Sequence, residues 1–455
     1  MEFLQGKLNA QVAGNRERNA YYDGEHRLAF AQEKFYEAFG GVFQSRWAEN
    51  FCALIVDSVA ERLRIEGFRM TDDPNADRDA WDIWQRSYMD DDSDSAHVDA
   101  LITSKSYVLV WGDSDSKPVI QPKSANEMFV LTDPADRRKR LAAYQEYRDD
   151  WGTLHSRLWL PGGGFYKAIR EEGDKTWREP EAGPNAFKVV PVVPLLNRPR
   201  LSGKPISELD RVIPVQDAIN KVMIDALVAS EYAAFPQRWV TGMELEEDEN
   251  GQPIAPFRVA LDRMFHSEDP QTAFGQFQAA DLSNYVRLAE ALTQALASIS
   301  RIPLHYFLVN SGQPPSGESI KSAEAGLVAK SRQRQRSFGE SWEEVMRLCF
   351  AVLGDRRQDA CRAEVIWADP EYKSESEHID ALTKLKSLGV PDRQLQEDAG
   401  YSPGQIARFD KLMAEQMERA RVQAMVFGQA PAADRLNGSA GGRDEESGEE
   451  MPEAA

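Results

Sequence analysis

The segment from Pro205 to Leu353 restricts the fold more than any composition figure, because its hydrophobic period changes repeatedly along one stretch. The spacing predicts a helix from Ser207 to about Ala233. Ser207 and Asp210 form an S-x-x-D capping box at its start, and Leu209, Ile213, Ile219, Val222, Met223, Ala226, Leu227 and Ser230 supply an apolar stripe. Pro214 should kink this run or mark its true start. After Phe235-Pro236 the period shifts. Arg238–Thr241 reads as a strand, Glu244–Gly251 as an acidic turn ending in Asn-Gly, and Phe257–Leu261 as a second strand. Helix resumes near Asp281 or Ser283 with a stripe of Leu282, Tyr285, Leu288, Ala289, Leu292, Leu296 and Ile299, and stops at Arg301-Ile302-Pro303. A polar breaker cluster, Asn310–Gly317, precedes an almost uninterrupted helical pattern from Glu318 to Leu353. At ~1.5 Å per residue that last helix is roughly 54 Å long. A compact enzyme core has no need of this order. A protein that lines a long tube, drops a subdomain out of one end and returns does need it.

Flanking regions read as α+β. Helices are expected at Asn15–Leu28, Asn50–Leu63, Asp79–Met89 and Ser95–Lys105. Strands are expected at Tyr107–Trp111, Pro118–Pro122, Arg140–Tyr147, Leu154–Leu160 and Glu364–Trp367. Helices at Ser374–Leu388, Asp392–Ala399 and Pro403–Val426 follow, and from Gly428 the Gly-, Ala-, Ser- and Glu-rich composition predicts a disordered tail.

Charge narrows the partners. The net charge is −20, and −15 remains when the acidic tail from Pro431 is set aside. Tight, static DNA binders carry a basic balance because phosphate neutralisation supplies most of their affinity. DNA contact by this chain would therefore be loose, local or transient. No apolar run approaches the ~20 residues of a membrane helix, and Met1–Gln5 opens no signal peptide, so a soluble protein of a cytoplasm-like compartment is expected. Cys52, Cys349 and Cys361 are scattered in apolar patterns and read as buried free thiols.

Signatures of catalysis are missing: there is no Walker A motif, no H-E-x-x-H, no zinc-spaced Cys/His set and no G-x-S-x-G elbow. Gly162-Gly163-Gly164 lies between two strand-like runs and reads as a hairpin turn. Asp90–Asp94 reads as a solvated capping loop between helices, with a metal-dependent nuclease site as the alternative. Lys321, Lys330, Arg332, Arg334 and Arg336 form the one local basic concentration, a solvated or intersubunit face by default and a DNA face as the alternative.

The chain resembles the portal proteins of long-tailed bacteriophages. The residues that carry this are Tyr22-Asp23-Gly24-x-His26, Asn50 through Phe68, Pro194-Leu195-Leu196-Asn197, Gln313–Glu318, and Ile366-Trp367-x-Asp369-Pro370. The resemblance implies a helix-rich, elongated α+β subunit whose wing, stem, clip and crown regions assemble into a ring with a central channel. It implies a wing over 1–205, a first stem helix over 206–235, a clip over 236–279 and a second stem helix over 280–302. A tunnel loop over 303–317, a long wing helix over 318–353, a wing strand over 354–372, a helical crown over 373–428 and an acidic tail over 429–455 complete it. About twelve copies would surround duplex DNA at one capsid vertex, for packaging and ejection, without sequence specificity. Implied partners are the terminase large subunit, head–tail connectors, and major capsid and scaffolding proteins, with no membrane, cofactor or enzymatic activity. The ring would be assembled in the host bacterial cytoplasm and reside in the virion. Asn310, Ser311, Gly312, Gln313, Pro314, Pro315 and Ser316 would meet DNA, and Arg238, Trp239, Glu246, Glu247 and Phe257 would meet clip partners. The competing readings are a phage-associated nuclease or head-maturation protein using Asp90–Asp94, and a non-ring capsid-binding scaffold.

Overall fold

The computed structural model describes residues 1–26, 49–71, 76–162, 164–174, 176–178, 180–184, 187–202, 204–234, 238–242, 270–277, 281–307, 317–371 and 375–427. They fall into two compact units, Met1–Tyr372 and Lys373–Ala455.

In the first unit α1 (Glu2–Asp23) ends at Gly24, whose φ of 73° is the left-handed conformation a glycine takes without a Cβ penalty. Helix α2 (Phe51–Ala60) is capped by Asn50, whose side chain accepts from the Cys52 amide at 3.1 Å. Its Cys52, Ile55, Val56 and Val59 recur at helical spacing and are fully buried. Strand β1 (Ile65–Arg69) and helices α3 (Arg78–Arg86) and α4 (Met89–Thr103) follow. The acidic run Asp90–Asp92 is not a loop but the first turn of α4, where carboxylates meet the positive end of the helix dipole.

Two antiparallel sheets come next. Strands β2 (Lys105–Gly112), β3 (Pro118–Lys123) and β9 (Val192–Leu196) form one sheet in the order β3-β2-β9. Central β2 buries Tyr107, Val108, Leu109 and Val110 in succession, as a strand covered on both faces must. Strands β4 (Met128–Thr132), β5 (Arg140–Arg148), β6 (Leu154–Leu160), β7 (Gly164–Arg170) and β8 (Glu181–Pro184) form a meander. Leu160 pairs with Gly164, and Gly162 lies in the hairpin turn between β6 and β7, as the sequence predicts. Leu4 and Leu8 of α1 pack on Ala142, Tyr144 and Leu158 of this meander.

Helix α5 begins at Ile213 and runs to Ala234, six residues later than the capping box implies. The box does form: the Ser207 amide donates to Asp210 Oδ2 at 3.2 Å. It closes a separate turn, however, because Pro214 has no N–H to continue a helix and fits only the first turn. Strands β10 (Arg238–Thr241) and β11 (Ala273–Gln276) form a two-stranded ribbon. The expected second strand at Phe257–Leu261 lies outside the described residues. Helix α6 (Ser283–Ser300) returns alongside α5, with Asp281 Oδ1 accepting from the Ser283 amide at 2.9 Å. Its buried side is Thr293, Leu296, Ala297 and Ser300, whereas Leu288 and Ile299 of the expected stripe are 49% and 47% exposed.

The 37-residue helix α7 (Gly317–Leu353) crosses the unit, about 55 Å from end to end. Its Phe338, Trp342, Val345, Met346, Cys349 and Phe350 enter the main core with Trp84 of α3 and His97 of α4. Trp342 Nε1 donates to His97 Nε2 at 2.9 Å, and burial holds this imidazole neutral, with its pKa lowered to about 3. Strand β12 (Glu364–Trp367) pairs antiparallel with β1, closing the unit. Cys52 and Cys349 are buried as expected, and burial raises both thiol pKa values. Cys361 is exposed, because it falls in the turn before β12 rather than inside an apolar element.

The second unit comprises α8 (Glu375–Ser387), α9 (Asp392–Asp398) and α10 (Pro403–Phe427). Gly389 and Gly400, both at positive φ, separate them. Leu395 and Ile406 are buried between them, and Tyr401 meets Phe409 edge-on at 5.0 Å.

Candidate functional site: the joint below the paired helices

The five basic residues of α7 do not share a face. Residues two apart on a helix point to nearly opposite sides, while residues four apart stack. Lys330 and Arg334 accordingly turn inward, with side chains 5% and 3% exposed. Lys321, Arg332 and Arg336 are exposed. Arg332 reaches Asp369 at 3.5 Å and Glu371 at 3.6 Å. The expected single basic face is thus corrected for Lys330 and Arg334: both neutralise a buried carboxylate within the same chain.

That carboxylate belongs to Glu208, 3% exposed, on the approach to α5. Oε2 lies 2.9 Å from Lys330 Nζ, while Oε1 accepts from Arg334 Nε at 3.0 Å, from Arg334 Nη2, and from Asn197 Nδ2 at 3.0 Å. Burial alone would raise the pKa of this carboxyl, but the attraction of Lys330 and then Arg334 prevails and holds it at about 2. Lys330 Nζ also donates to the Ser300 carbonyl at the C-terminal end of α6, at 3.0 Å. One ammonium therefore ties the start of α5, the end of α6 and the middle of α7 together. It follows that α5 and α6 run antiparallel with their bases on α7.

Asn197 ends the Pro194–Asn197 motif and explains it. Its side chain also donates to the Ile206 carbonyl at 2.8 Å, and its amide to the Ser104 carbonyl at 2.9 Å. The Tyr22-Asp23-Gly24-x-His26 motif works on the other side of α5. Tyr21 stacks on His26 with centroids 4.1 Å apart, His26 Nε2 lies 3.1 Å from Asn220 Nδ2, and Tyr21 donates to Asp217 at 2.5 Å. Asn50 Nδ2 donates to the Tyr22 carbonyl at 2.8 Å, and the Phe51 amide donates to Gln216 Oε1 at 3.0 Å. Two motifs distant in sequence thus clamp the first turns of one helix.

A second polar node follows α6. Arg62 Nη2 donates to the Tyr306 hydroxyl at 2.8 Å, which in turn donates to Glu324 Oε1 at 3.3 Å. Arg62 and Glu324 lie 3.7 Å apart, both mostly buried. Asn310, Ser311, Gly312, Gln313, Pro314, Pro315 and Ser316 lie outside the described residues. Arg62 stands inside the Asn50–Phe68 motif, but nothing in the sequence pattern singled out Glu208 or Glu324. A lone glutamate before a helix reads as solvated, and only its place among apolar positions hinted otherwise.

Of the candidate clip residues, Glu246, Glu247 and Phe257 lie outside the described residues. Arg238 and Trp239 lie on β10, paired with Gln276 and Gly275. The Trp239 indole covers Gly275 so closely that a Cβ there would sit 2.2 Å from the ring. Trp239, Phe274 and Phe277 remain 40%, 42% and 59% exposed. The Asp90 carboxylate accepts from Trp84 Nε1 at 3.0 Å and from Gln85 Nε2 at 2.9 Å, a packing role. Among the described residues no group of three or more His, Cys, Asp or Glu is placed to hold a metal ion, and no helix is long and apolar enough to cross a membrane.

Comparison with known proteins identifies the family. A family model described as "Phage portal protein, SPP1 Gp6-like" matches residues 2–396. The portal protein of Mycobacterium phage D29 is 29% identical over 445 residues, covering 92% of this chain and 88% of the relative. The portal protein of Mycobacterium phage L5 is 29% identical over 412 residues, covering 84% and 81%. With the model spanning the clamped first turns of α5, the paired helices and the long helix alike, the chain belongs to the SPP1 Gp6-like family of phage portal proteins.

Proposed function

We propose that this portal protein acts as one subunit of a closed ring through which duplex DNA is packaged and ejected, docking first the terminase and then head–tail connectors. The observation that carries this reading is the antiparallel pair α5/α6, joined at one end by a β-ribbon and at the other seated on α7 through Glu208. The pair would be the stem, the β10–β11 region the clip, residues 303–317 the tunnel loop and α7 the long wing helix. Residues 1–205 with β12 would form the wing, and 373–428 the crown.

Two features support a role among copies. Leu288 and Ile299 share one face of α6, with Ala291 and Ala295 between them, and all four are exposed in the single chain. Such an apolar stripe is suited to cover by a neighbouring subunit. The exposed aromatics of the ribbon, Trp239, Phe274 and Phe277, are suited to be partner anchors. A chain of net charge −20 gives a channel wall that does not neutralise phosphates, so the duplex slides rather than sticks. Native mass measurement with negative-stain imaging tests the reading. A closed ring of about a dozen subunits is expected; a monodisperse monomer, even with scaffolding or capsid protein present, would refute it.

A further inference from the structure

An arginine-rich cleft of about 390 Å³ lies apart from the joint, between the β4–β5 turn, the edge of β9 and one face of α7. Its charged lining is Arg137, Arg138, Arg140 and Arg347 against Glu340 and Glu344. In a chain of net charge −20, a concave site with two excess positive charges is a local inversion of sign.

The internal pairs do not use up the guanidinium groups. Glu344 is shared by Arg140 at 2.8 Å and Arg347 at 3.1 Å. Arg138 and Glu340 are 3.8 Å apart with side chains 76% and 63% exposed, a contact that water weakens. Arg137 donates only to the Arg200 carbonyl, at 3.3 Å. The turn that presents Arg137 and Arg138 is itself braced, with the Ala135 amide on Asp133 Oδ1 at 2.9 Å and the Arg138 amide on Asp136 Oδ1 at 3.0 Å. The backbone that carries both arginines is therefore fixed beside the cleft rather than trailing as a loose loop.

The floor decides how a ligand is recognised. Strand β9 is an edge strand, but the carbonyls of Pro194 and Leu196 already accept from Ser341 and Ser337 of α7, each at 3.0 Å. Pro194 also has no N–H to offer, so a peptide cannot add to this edge as another strand. What remains is apolar wall from Pro194, Leu196 and Pro199 beneath arginine forks. Arginine forks bind carboxylates bidentately.

We propose that this cleft binds an acidic polypeptide segment of a partner protein, whose carboxylates engage Arg137 and Arg138 while an apolar side chain covers the Pro194–Pro199 wall. A duplex fits the site poorly. Glu340 and Glu344 face the same space and repel a continuous phosphate backbone, whereas a peptide can set its carboxylates at separate points. The inference does not depend on the conduit reading.

The test is fluorescence anisotropy with the full-length protein and a fluoresceinated peptide of roughly ten residues in which glutamates alternate with leucine and serine. Saturable, salt-sensitive binding is expected. The double variant R137E/R138E should weaken it at least about tenfold, while R419E, an exposed arginine of α10, should change it less than about twofold. Both cleft substitutions are on an exposed turn, and an unchanged melting temperature verifies folding. Absence of saturable binding, an equal loss in R419E, or an Arg137-dependent preference for a duplex oligonucleotide of matched charge would each overturn the proposal.

Discussion

Replacing Glu208 by glutamine is the sharpest test of the joint, because it keeps the shape and removes one charge. Lys330 and Arg334 would then remain buried without a counter-charge. Breaking a buried ion pair from one side costs about 3–5 kcal/mol. The carboxyl itself supplies a consistent figure: held at about 2 instead of its ordinary 4.5, it contributes about 3 kcal/mol at ~1.36 kcal/mol per pH unit. All ten tryptophans precede residue 372, so intrinsic fluorescence follows the first unit alone during urea unfolding. E208Q should lower the stability read this way by about 3–5 kcal/mol at pH 7. Glu208 has a depressed folded pKa, so its contribution is complete above about 4.5 and fades as pH falls toward about 2. The triple variant E208L/K330M/R334M, which removes all three charges, should recover at least half of the loss. A loss below about 1 kcal/mol in E208Q, or a triple variant no better than the single one, would show that these charges are solvated and do not hold the joint.

Other outcomes are equally specific. Burial lowers the His97 pKa to about 3 from its ordinary 6.5, so stability is complete above 6.5 and declines as pH falls below it, by about 2 kcal/mol at pH 5. H97Q should lose this slope between pH 7 and 5, and an unchanged slope would place the acid sensitivity elsewhere. Glu343 has its pKa raised to about 7 by burial and then by Glu340, so its contribution is present below about 4.5 and lost as pH rises through 7. E343Q should therefore stabilise the protein at pH 8, by about 1 kcal/mol for a half-buried group, and do nothing at pH 5; thermal melts at the two pH values decide. Shortening Gln313–Ser316 should leave assembly intact by sedimentation yet impair DNA packaging, and undiminished packaging would remove the tunnel-loop assignment.

The joint shows why a structural centre of this kind resists motif reading. Its residues carry no catalytic spacing; they serve by pinning three helices at one point. Asn197 and Gln216 are ordinary amides in the sequence. They become specific only because Glu208 lies 3.0 Å from the Asn197 amide nitrogen and the Phe51 amide needs the Gln216 carbonyl. The resemblance motifs were legible because they hold these positions, not because their chemistry announced a role.

Features governed by neighbours in the chain could be read directly from the residues. The limits of β6 and β12 agree with the alternating pattern, the ends of α7 fall within a residue or so of expectation, and the Asn50 and Asp281 caps act where they stand. Period, caps and breakers act over a few residues, so a local pattern contains them. Partners far along the chain decided the rest. Strand β1 exists because it pairs with β12 some three hundred residues later. The exposed side of α6 is set by where α5 lies. Above all, Lys330, Arg332, Arg334 and Arg336 are alike as a list of charges, and the rotation of α7 against Glu208 divides them into two buried counter-ions and two surface groups. That rotation depends on the burial of Phe338, Trp342 and Cys349 in the core, a quantity that belongs to the packed chain and to no local segment of it.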